Sequence, residues 1–203
     1  MKKIIWLKNK IGATKMKIMN VGHYRWGLGL LVVIGTLISS LSIAWTAQEW
    51  TAIGSSGTMN RVDSGKVLIT DAKVAVNPTI LSPATVKIRY NVVSVGGITM
   101  FDGHSMTIRF RDNGTGAQVI ARLKRQKIMP LTKSETFPWT MLTLDSNTFT
   151  SSSVYQTQFV PGCSAGINFD FTTYTYFIEV ELRKTDDTGT PGIELLKLGG
   201  LVC

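Results

Sequence analysis

A single histidine, His104, lies outside the N-terminal region, and Asp102 and Ser105 lie beside it. An acid, an imidazole and a hydroxyl are the groups of a hydrolytic triad, which would make the protein a hydrolase. Adjacent residues seldom adopt that geometry, and a lone histidine without a motif is a weak catalytic signal. A zinc site would need three or four ligands, which one histidine and two cysteines do not supply convincingly. The sequence therefore favours a polar loop at His104, with no catalytic residue, no metal site and no cofactor.

Positive charge is concentrated between residues 109 and 133, where seven Lys and Arg residues accompany one acid, Asp112. If the Asn-Gly turn at 112–116 closes a hairpin, four of these cations project from one polar face of two paired strands. They are the predicted binding residues: Arg109, Arg111, Arg122 and Lys124. Such a face suits an anionic glycan or an acidic protein surface. The alternative that the sequence favours is a solvated face whose cations pair with Glu179 and Glu181 of another strand.

Aromatic residues and turn acids provide two weaker candidates. Four aromatics could line a carbohydrate platform, although aromatics also fill cores and the core interpretation is preferred: Trp139, Tyr155, Tyr174 and Tyr176. Asp112–Gly114 and Asp186–Asp187 offer oxygen ligands for Ca²⁺, but they lack the spaced acids of an EF-hand loop. Turns select Asp and Asn for backbone reasons alone, so these segments are predicted to be turns.

The elements that must position these groups are strands, because apolar and polar residues alternate with a period of two. The alternation is clear over residues 86–92, 106–111, 118–124 and 176–183. Weaker strands are predicted over residues 67–76, 139–144, 154–160, 167–171 and 193–198. The pattern predicts an all-β fold, an antiparallel β-sandwich or jelly-roll-like domain of about eight or nine strands that follows an N-terminal hydrophobic leader helix.

The first 44 residues are typical of an export signal. Seven Lys and Arg residues and no acid precede Trp26, and residues 26–47 carry no charge. The apolar core, residues 28–38, has signal-peptide length, and the small residues Ser42 and Ala44 place cleavage after Ala44. An uncleaved anchor remains open, because the uncharged run is long enough to span a bilayer. The predicted organisation is a leader over 1–44, a Ser/Thr/Gly-rich linker over 45–65 and a β-sandwich over 66–203.

The predicted export changes how the net charge and the cysteines are interpreted. The whole chain has a net charge of +9, but the residues after the leader have 15 bases and 13 acids. We therefore expect no nucleic-acid partner, and contact with a membrane only through an uncleaved leader. Because exported domains meet an oxidising compartment, the two cysteines, Cys163 and Cys203, are predicted to form a disulfide.

These observations together predict a non-enzymatic β-sandwich that is secreted, periplasmic or on the cell surface, and that binds or builds something there. A hydrophobic N-terminal helix before a β-domain also resembles the plan of archaellins and type IV pilins, which implies a filament subunit. The residues after Arg25 depart from bacterial pilins, since the Gly-then-Phe/Met start and the early Glu are missing. A hydrolase using His104 is the third alternative. The oligomeric state is left open.

Overall fold

The computed structural model describes residues 49–94, 105–162, 167 and 169–199, and nearly all regular structure in them is β-strand. Besides turns of 3-10 helix, these residues contain one short helix, α1 (Arg61–Ser64). The strands are, in chain order, β1 (Trp50–Ile53), β2 (Thr58–Met59), β3 (Val67–Ile69), β4 (Val74–Val76), β5 (Ala84–Val92), β6 (Ser105–Asp112), β7 (Ala117–Lys127), β8 (Trp139–Asp145), β9 (Ser152–Pro161), β10 (Tyr174–Lys184) and β11 (Gly192–Leu198).

The strands form two antiparallel sheets. The first sheet has the order β3-β4-β11-β6-β9, and β1 pairs with the second half of β11. The second sheet has the order β2-β5-β10-β7-β8. Successive long strands often belong to different sheets, so that β6 leads into β7 and β10 leads into β11 across the sandwich.

The core forms where the inner faces of the two sheets meet. Along β10 the alternate residues Ile178, Val180 and Leu182 are fully buried, and Val180 lies opposite Ile88 of β5 and Ala121 of β7. The first sheet contributes buried side chains to the same cluster: Met106, Ile108, Phe110, Ile193 and Leu196. Burial of each large apolar side chain contributes about 1.5–3 kcal/mol, which explains why the alternating pattern selects two packed sheets.

The two turns that cross between the sheets contact each other. Gly114, at φ +125°, provides the left-handed backbone that the first turn needs. The Asn113 amide donates to the Thr188 carbonyl oxygen at 2.8 Å and accepts from the Thr190 backbone N–H at 2.6 Å. Asp186 accepts from the hydroxyl and the N–H of Thr188, and these bonds lower the pKa of its carboxyl. Both turn segments thus use their polar side chains to fix backbone, as the turn interpretation predicted.

The all-β, two-sheet prediction is confirmed, but three details differ. Residues 50–64 hold β1, β2 and α1 where composition predicted a linker, because Trp50 is buried in the core and β1 completes the ladder of β11. The predicted strand over 67–76 is the β3–β4 hairpin. Among the described residues of 167–171 no strand forms, although Ile167 and Phe169 are buried. The described ranges consequently contain eleven strands, more than the eight or nine predicted.

Several predictions fall on residues outside the described ranges. They are the leader and its cleavage, the Cys163–Cys203 disulfide and the loop at His104, and they stay predictions. Within the described ranges, no helix has the length and apolar character needed to cross a membrane.

Candidate binding site

The four predicted binding residues do not share a face. β6 pairs with β9 and β11, whereas β7 pairs with β8 and β10 in the other sheet. The Asn-Gly turn therefore joins two sheets and does not close a two-stranded ladder. Arg109 and Arg111 lie on the outer face of the first sheet, and Arg122 and Lys124 on the outer face of the second. The prediction of one continuous basic face is wrong because local turn chemistry does not reveal which sheet the next strand joins.

On the first sheet, both arginines already have partners. The Arg109 Nε donates to the Glu194 carboxylate at 2.7 Å. The Arg111 Nε donates to the Thr190 carbonyl oxygen at 3.0 Å, and its guanidinium lies over the Tyr155 ring, 5.4 Å from the centroid. A ligand that bound these cations would have to compete with those contacts.

On the second sheet, the alternative interpretation holds, since the cations pair with the two predicted glutamates. Arg122 lies 2.9 Å from the Glu181 carboxylate, and Lys124 lies 2.5 Å from that of Glu179. Lys87 on the neighbouring strand also approaches Glu181, at 3.5 Å. Opposite charges on adjacent strands stabilise a sheet face, so this surface is locally neutralised.

A different site forms where the inner face of β7 reaches the edge of the core. Arg125 follows Leu123 at the two-residue spacing of one strand face, and Lys127 follows Arg125. The register places Leu123 opposite Ile178 in the core and Arg125 opposite Tyr176 of β10. Arg125 is therefore the next residue after the buried Leu123 on the inner face of β7.

Aromatic rings surround this arginine. Its guanidinium carbon lies 4.8 Å from the centroid of Tyr174 and 5.6 Å from that of Trp139. Both distances are within about 6 Å, the range in which a cation is attracted to an aromatic face. The Arg125 guanidinium forms no hydrogen bond or ion pair with another residue of the described ranges, so its N–H donors are not used by those neighbours.

The opposite wall of the site is a fixed turn. Lys127 lies 3.0 Å from the Glu135 carboxylate, which also accepts from the Leu131 N–H at 2.6 Å and the Thr132 N–H at 3.3 Å. The Lys127 hydrogen bond, followed by that of Leu131, lowers the pKa of Glu135. This bonding, with the capping box of Thr132 and Glu135, holds the 3-10 turn Lys133–Thr136, which Phe137 directly follows.

Exposed aromatic surface is the main feature of the site. Trp139 is 69% exposed and Phe137 is 74% exposed, although both side chains are large and apolar. Together with Arg125, Lys127 and Tyr174 they line a recess of about 290 Å³. This volume lies close to the lower end of the range typical of small-ligand sites, about 300–1,000 Å³. We name the recess, with Ser134 and Glu135 also in its lining, the arginine–aromatic pocket.

The floor of the pocket is anchored in the core. Tyr174 lies 6.3 Å from Tyr176, and the buried Tyr176 ring packs against Phe169 and Phe171 at 4.8 and 5.0 Å between centroids. The Tyr176 hydroxyl accepts from the Asp170 N–H at 2.8 Å. Hydrogen bonds from Thr172 and Thr173 lower the pKa of Asp170 to about 2, which keeps it ionised and its loop capped. The aromatic surface is thus presented from a packed support.

Sequence reasoning found some members of this pocket and misassigned them. The sequence offers Trp139 and Tyr174 for a carbohydrate platform but favours a core position for such aromatics, and this core interpretation is correct for Tyr176 and wrong for Trp139. Arg125 belongs to the basic run of residues 109–133, but the sequence analysis assigns it no binding role. The sequence does contain a signal for Arg125. It is a charged residue where the alternation of the strand expects an apolar one, which indicates that the strand reaches the edge of the core there.

The pocket combines flat apolar surfaces with a cation, an arrangement that binds and orients a ligand. Aromatic faces accept the apolar side of a planar or ring-shaped molecule, and a guanidinium pairs with carboxylates in a fixed, two-bond geometry. The Glu135 carboxylate is engaged by Lys127 and two backbone N–H groups, which leaves it poorly placed for proton transfer.

No protein-family model and no curated protein matches the chain. Among solved structures, it is similar to the CBM36-1 domain of a multidomain xylanase from the hindgut metagenome of Trinervitermes trinervoides, with a TM-score of 0.39, 18% identity, and coverage of 77% of this chain and all of that one. Carbohydrate-binding modules of the β-sandwich superfamily give a TM-score of 0.40 and 11% identity, with 79% of this chain and 60% of that one covered.

A family two carbohydrate esterase from Cellvibrio japonicus gives a TM-score of 0.36 and 15% identity, with 76% of this chain covered. The chain spans about a third of the esterase and three fifths of the superfamily structure. At these scores and identities the likenesses assign no family and no function.

Proposed function

We propose that the protein is an exported, non-enzymatic binding module that holds an acidic glycan in the arginine–aromatic pocket. The observation that carries the proposal is Arg125, which lies between Tyr174 and Trp139 without a carboxylate partner among the described residues. The predicted anionic ligand is retained, but its site moves from the outer sheet faces to the pocket.

The aromatic part of the argument concerns the shape of the ligand. Exposure of Trp139 and Phe137 leaves apolar surface in water that a ligand can cover, with a gain of about 25 cal/mol per Å² removed from water. A sugar ring has one face formed mainly by C–H groups, so it can lie flat on an aromatic ring while its hydroxyls stay solvated. The recess of about 290 Å³ suits one ring at a time of a longer chain.

The charged part of the argument concerns the class of glycan. Arginine presents its N–H donors as a planar fork that matches a carboxylate, and such charge-assisted pairs are stronger than neutral hydrogen bonds. The Arg125 guanidinium carbon lies within cation–π distance of Tyr174 and Trp139, and no hydrogen bond to another described residue uses its N–H groups, so they can bond a ligand. A uronic acid combines the apolar ring face with a carboxylate and therefore uses both features.

Binding of oligogalacturonate, measured by isothermal titration calorimetry, tests this proposal. The comparison ligand is the carboxyl-reduced oligosaccharide, in which each carboxylate is a hydroxymethyl group. We expect Arg125→Met to weaken binding of the acidic ligand about 10- to 100-fold, since a hydrogen bond to a charged group contributes about 1.5–3 kcal/mol, and to change binding of the reduced ligand little. Trp139→Ala should weaken both, because the stacking surface serves both.

Arg109→Met is the matched control, since it removes an arginine from the outer face of the first sheet, where the original prediction placed part of the site. Its affinity should equal that of the unchanged protein. Absence of oligogalacturonate binding, or equal losses for Arg109→Met and Arg125→Met, would contradict the proposal.

Export is supported by the basic, then apolar, N-terminal sequence. If the leader is cleaved after Ala44, the mature protein begins at Trp45, and N-terminal sequencing combined with cell fractionation measures this directly. A mature start near Trp26 would instead support the filament-subunit alternative, and an unprocessed chain in the cytosol would contradict export altogether.

A further inference from the structure

Strand β9 is an edge strand with an unusual composition. Among the described residues it pairs with β6 alone, so one side of its backbone lacks a ladder partner there. It is ten residues long and contains no charged residue, and no charge occurs anywhere between Asp145 and Asp170. Natural edge strands usually carry charges or are kept short, because a long uncharged edge pairs readily with another strand.

The sequence of β9 is symmetric about Thr157. Reading outward from this residue in both directions gives glutamine, then an aromatic residue, then valine: Val154-Tyr155-Gln156-Thr157-Gln158-Phe159-Val160. Suppose that two identical strands pair antiparallel about a two-fold axis at Thr157. A residue at a given distance before Thr157 in one copy then lies opposite the residue at the same distance after Thr157 in the other copy. Gln156 then lies opposite Gln158, and Tyr155 lies opposite Phe159.

The faces of the strand also agree with this register. Thr157 lies opposite the outward-facing Arg109, and Phe159 lies opposite Thr107, so Thr157 and Phe159 belong to the outer face of the first sheet. Tyr155 lies on that face too, since its ring is 5.4 Å from the outward-facing Arg111 guanidinium, and alternation puts Gln156, Gln158 and Val160 on the other face. The pairing with β6 is irregular beyond Phe110, where the exposed Val154 lies. The Tyr155–Phe159 pair therefore lies on the outer side of the joined sheet and the Gln156–Gln158 pair on the inner side.

We propose that β9 pairs with β9 of a second copy of this chain, which joins the two first sheets across a two-fold axis at Thr157. Val154 is 69% exposed and Phe159 is 51% exposed, so pairing of the two strands can remove apolar surface of both side chains from water. A second copy fits better than a charged partner, because the strand offers no charge to complement and its order of side chains complements itself. This interface is isologous, which closes at two copies and does not propagate into a filament.

The mass of the full chain in a mild, density-matched detergent, measured by sedimentation equilibrium, tests the pairing. We expect twice the chain mass for the unchanged protein and the chain mass for Thr157→Lys, because the axis brings two like charges together. Thr157→Glu alone should likewise be monomeric. A mixture of Thr157→Lys and Thr157→Glu should recover the doubled mass, since the two substituted positions then attract each other.

Thr143→Lys is the matched control, because Thr143 is an exposed threonine on β8, the edge strand of the other sheet. It should keep the doubled mass. Far-UV circular dichroism establishes that each variant is folded. The proposal is overturned if the unchanged chain has the mass of one copy, if Thr157→Lys stays at the doubled mass, or if the Lys and Glu variants fail to associate when mixed.

Discussion

Glu181 is the centre of the charged outer face of the second sheet, and its replacement by glutamine tests how that face is stabilised. Its side chain is 7% exposed, and its carboxylate oxygens form ion pairs with three side-chain nitrogens: those of Arg183 at 2.5 Å, Arg122 at 2.9 Å and Lys87 at 3.5 Å. Glutamine keeps the size of the side chain and removes the charge. The three cations then remain close together without a compensating carboxylate.

The size of the effect follows from the exposure of the partners. The side chains of Lys87, Arg183 and Arg122 are 56%, 37% and 24% exposed, so water screens all three pairs in part. An exposed pair contributes about 0.2–1 kcal/mol, whereas removal of one partner from a fully buried pair costs about 3–5 kcal/mol. Three screened pairs on one poorly exposed carboxylate lie between these limits, and we expect Glu181→Gln to lower the free energy of unfolding by about 1–3 kcal/mol.

The effect should depend on pH in a defined direction. Burial raises the pKa of Glu181, but the Arg183 hydrogen bond and the charges of Arg122, Arg183 and Lys87 outweigh it and hold the pKa below its ordinary value. The folded carboxyl therefore stays ionised at pH values where the unfolded one takes up a proton, at about 4.3. Its stabilisation is complete above that value and declines as the pH falls through the lower folded pKa.

Urea titration followed by far-UV circular dichroism, at neutral pH and at a series of acidic values, measures both quantities. The difference between the unchanged protein and Glu181→Gln should be largest at neutral pH and shrink toward acid. Glu179→Gln, which loses the Lys124 pair at 2.5 Å, is the matched control and should cost less. Equal stability of Glu181→Gln and the unchanged protein at neutral pH, or a difference that persists undiminished in acid, would refute the reasoning.

Two further substitutions test buried polar contacts by the same urea titration. Tyr90→Phe removes a hydroxyl that donates to the buried Gly54 carbonyl oxygen at 2.6 Å, and it should cost about 1–3 kcal/mol because that carbonyl loses its partner; no loss of stability would contradict this. Lys184→Met removes an ammonium, on a residue only 1% exposed, that bonds the Pro78 and Ile80 carbonyl oxygens at 2.8 and 2.7 Å. It should destabilise by a similar amount, about 1–3 kcal/mol, and a gain in stability would show that those carbonyls find other donors.

The strands were predictable because burial imposes the two-residue period directly on the sequence. In residues 176–183 the predicted apolar set, Tyr176, Ile178, Val180 and Leu182, is buried. Phe177 and Glu181 on the opposite face are buried as well, which the two-residue period does not predict. Short strands at the margin were not predictable in this way. β1 and β2 hold four and two residues, too few to show a period, and their formation depends on ladders offered by β11 and β5 far along the chain.

The binding site was harder to predict because it depends on which strands become neighbours. The Asn-Gly turn indicates a reversal of the chain, but it contains no information on whether the chain returns to the same sheet. The pairing of β6 with β9 and of β7 with β10 separates Arg109 from Arg122, and it brings Arg125 next to Tyr174 and Trp139. Glu179 and Glu181 were correctly proposed as partners, because their alternation placed them on the polar face of a strand that could lie beside β7.

The distribution of charge partners explains why binding is expected at the pocket and not on the sheet faces. A ligand carboxylate that approached Arg122 would compete with Glu181, and the gain from the new pair would be offset by loss of the old one. At Arg125 the same carboxylate would find aromatic neighbours, so its contact adds to theirs and displaces no carboxylate of the described residues. Residues 45–203 have 15 bases and 13 acids and so give little long-range attraction, which leaves selectivity to this short-range difference. Arg125 stands at a position of β7 where the two-residue alternation expects an apolar side chain. The proposed binding needs a charge at this position, whereas packing of the sandwich does not.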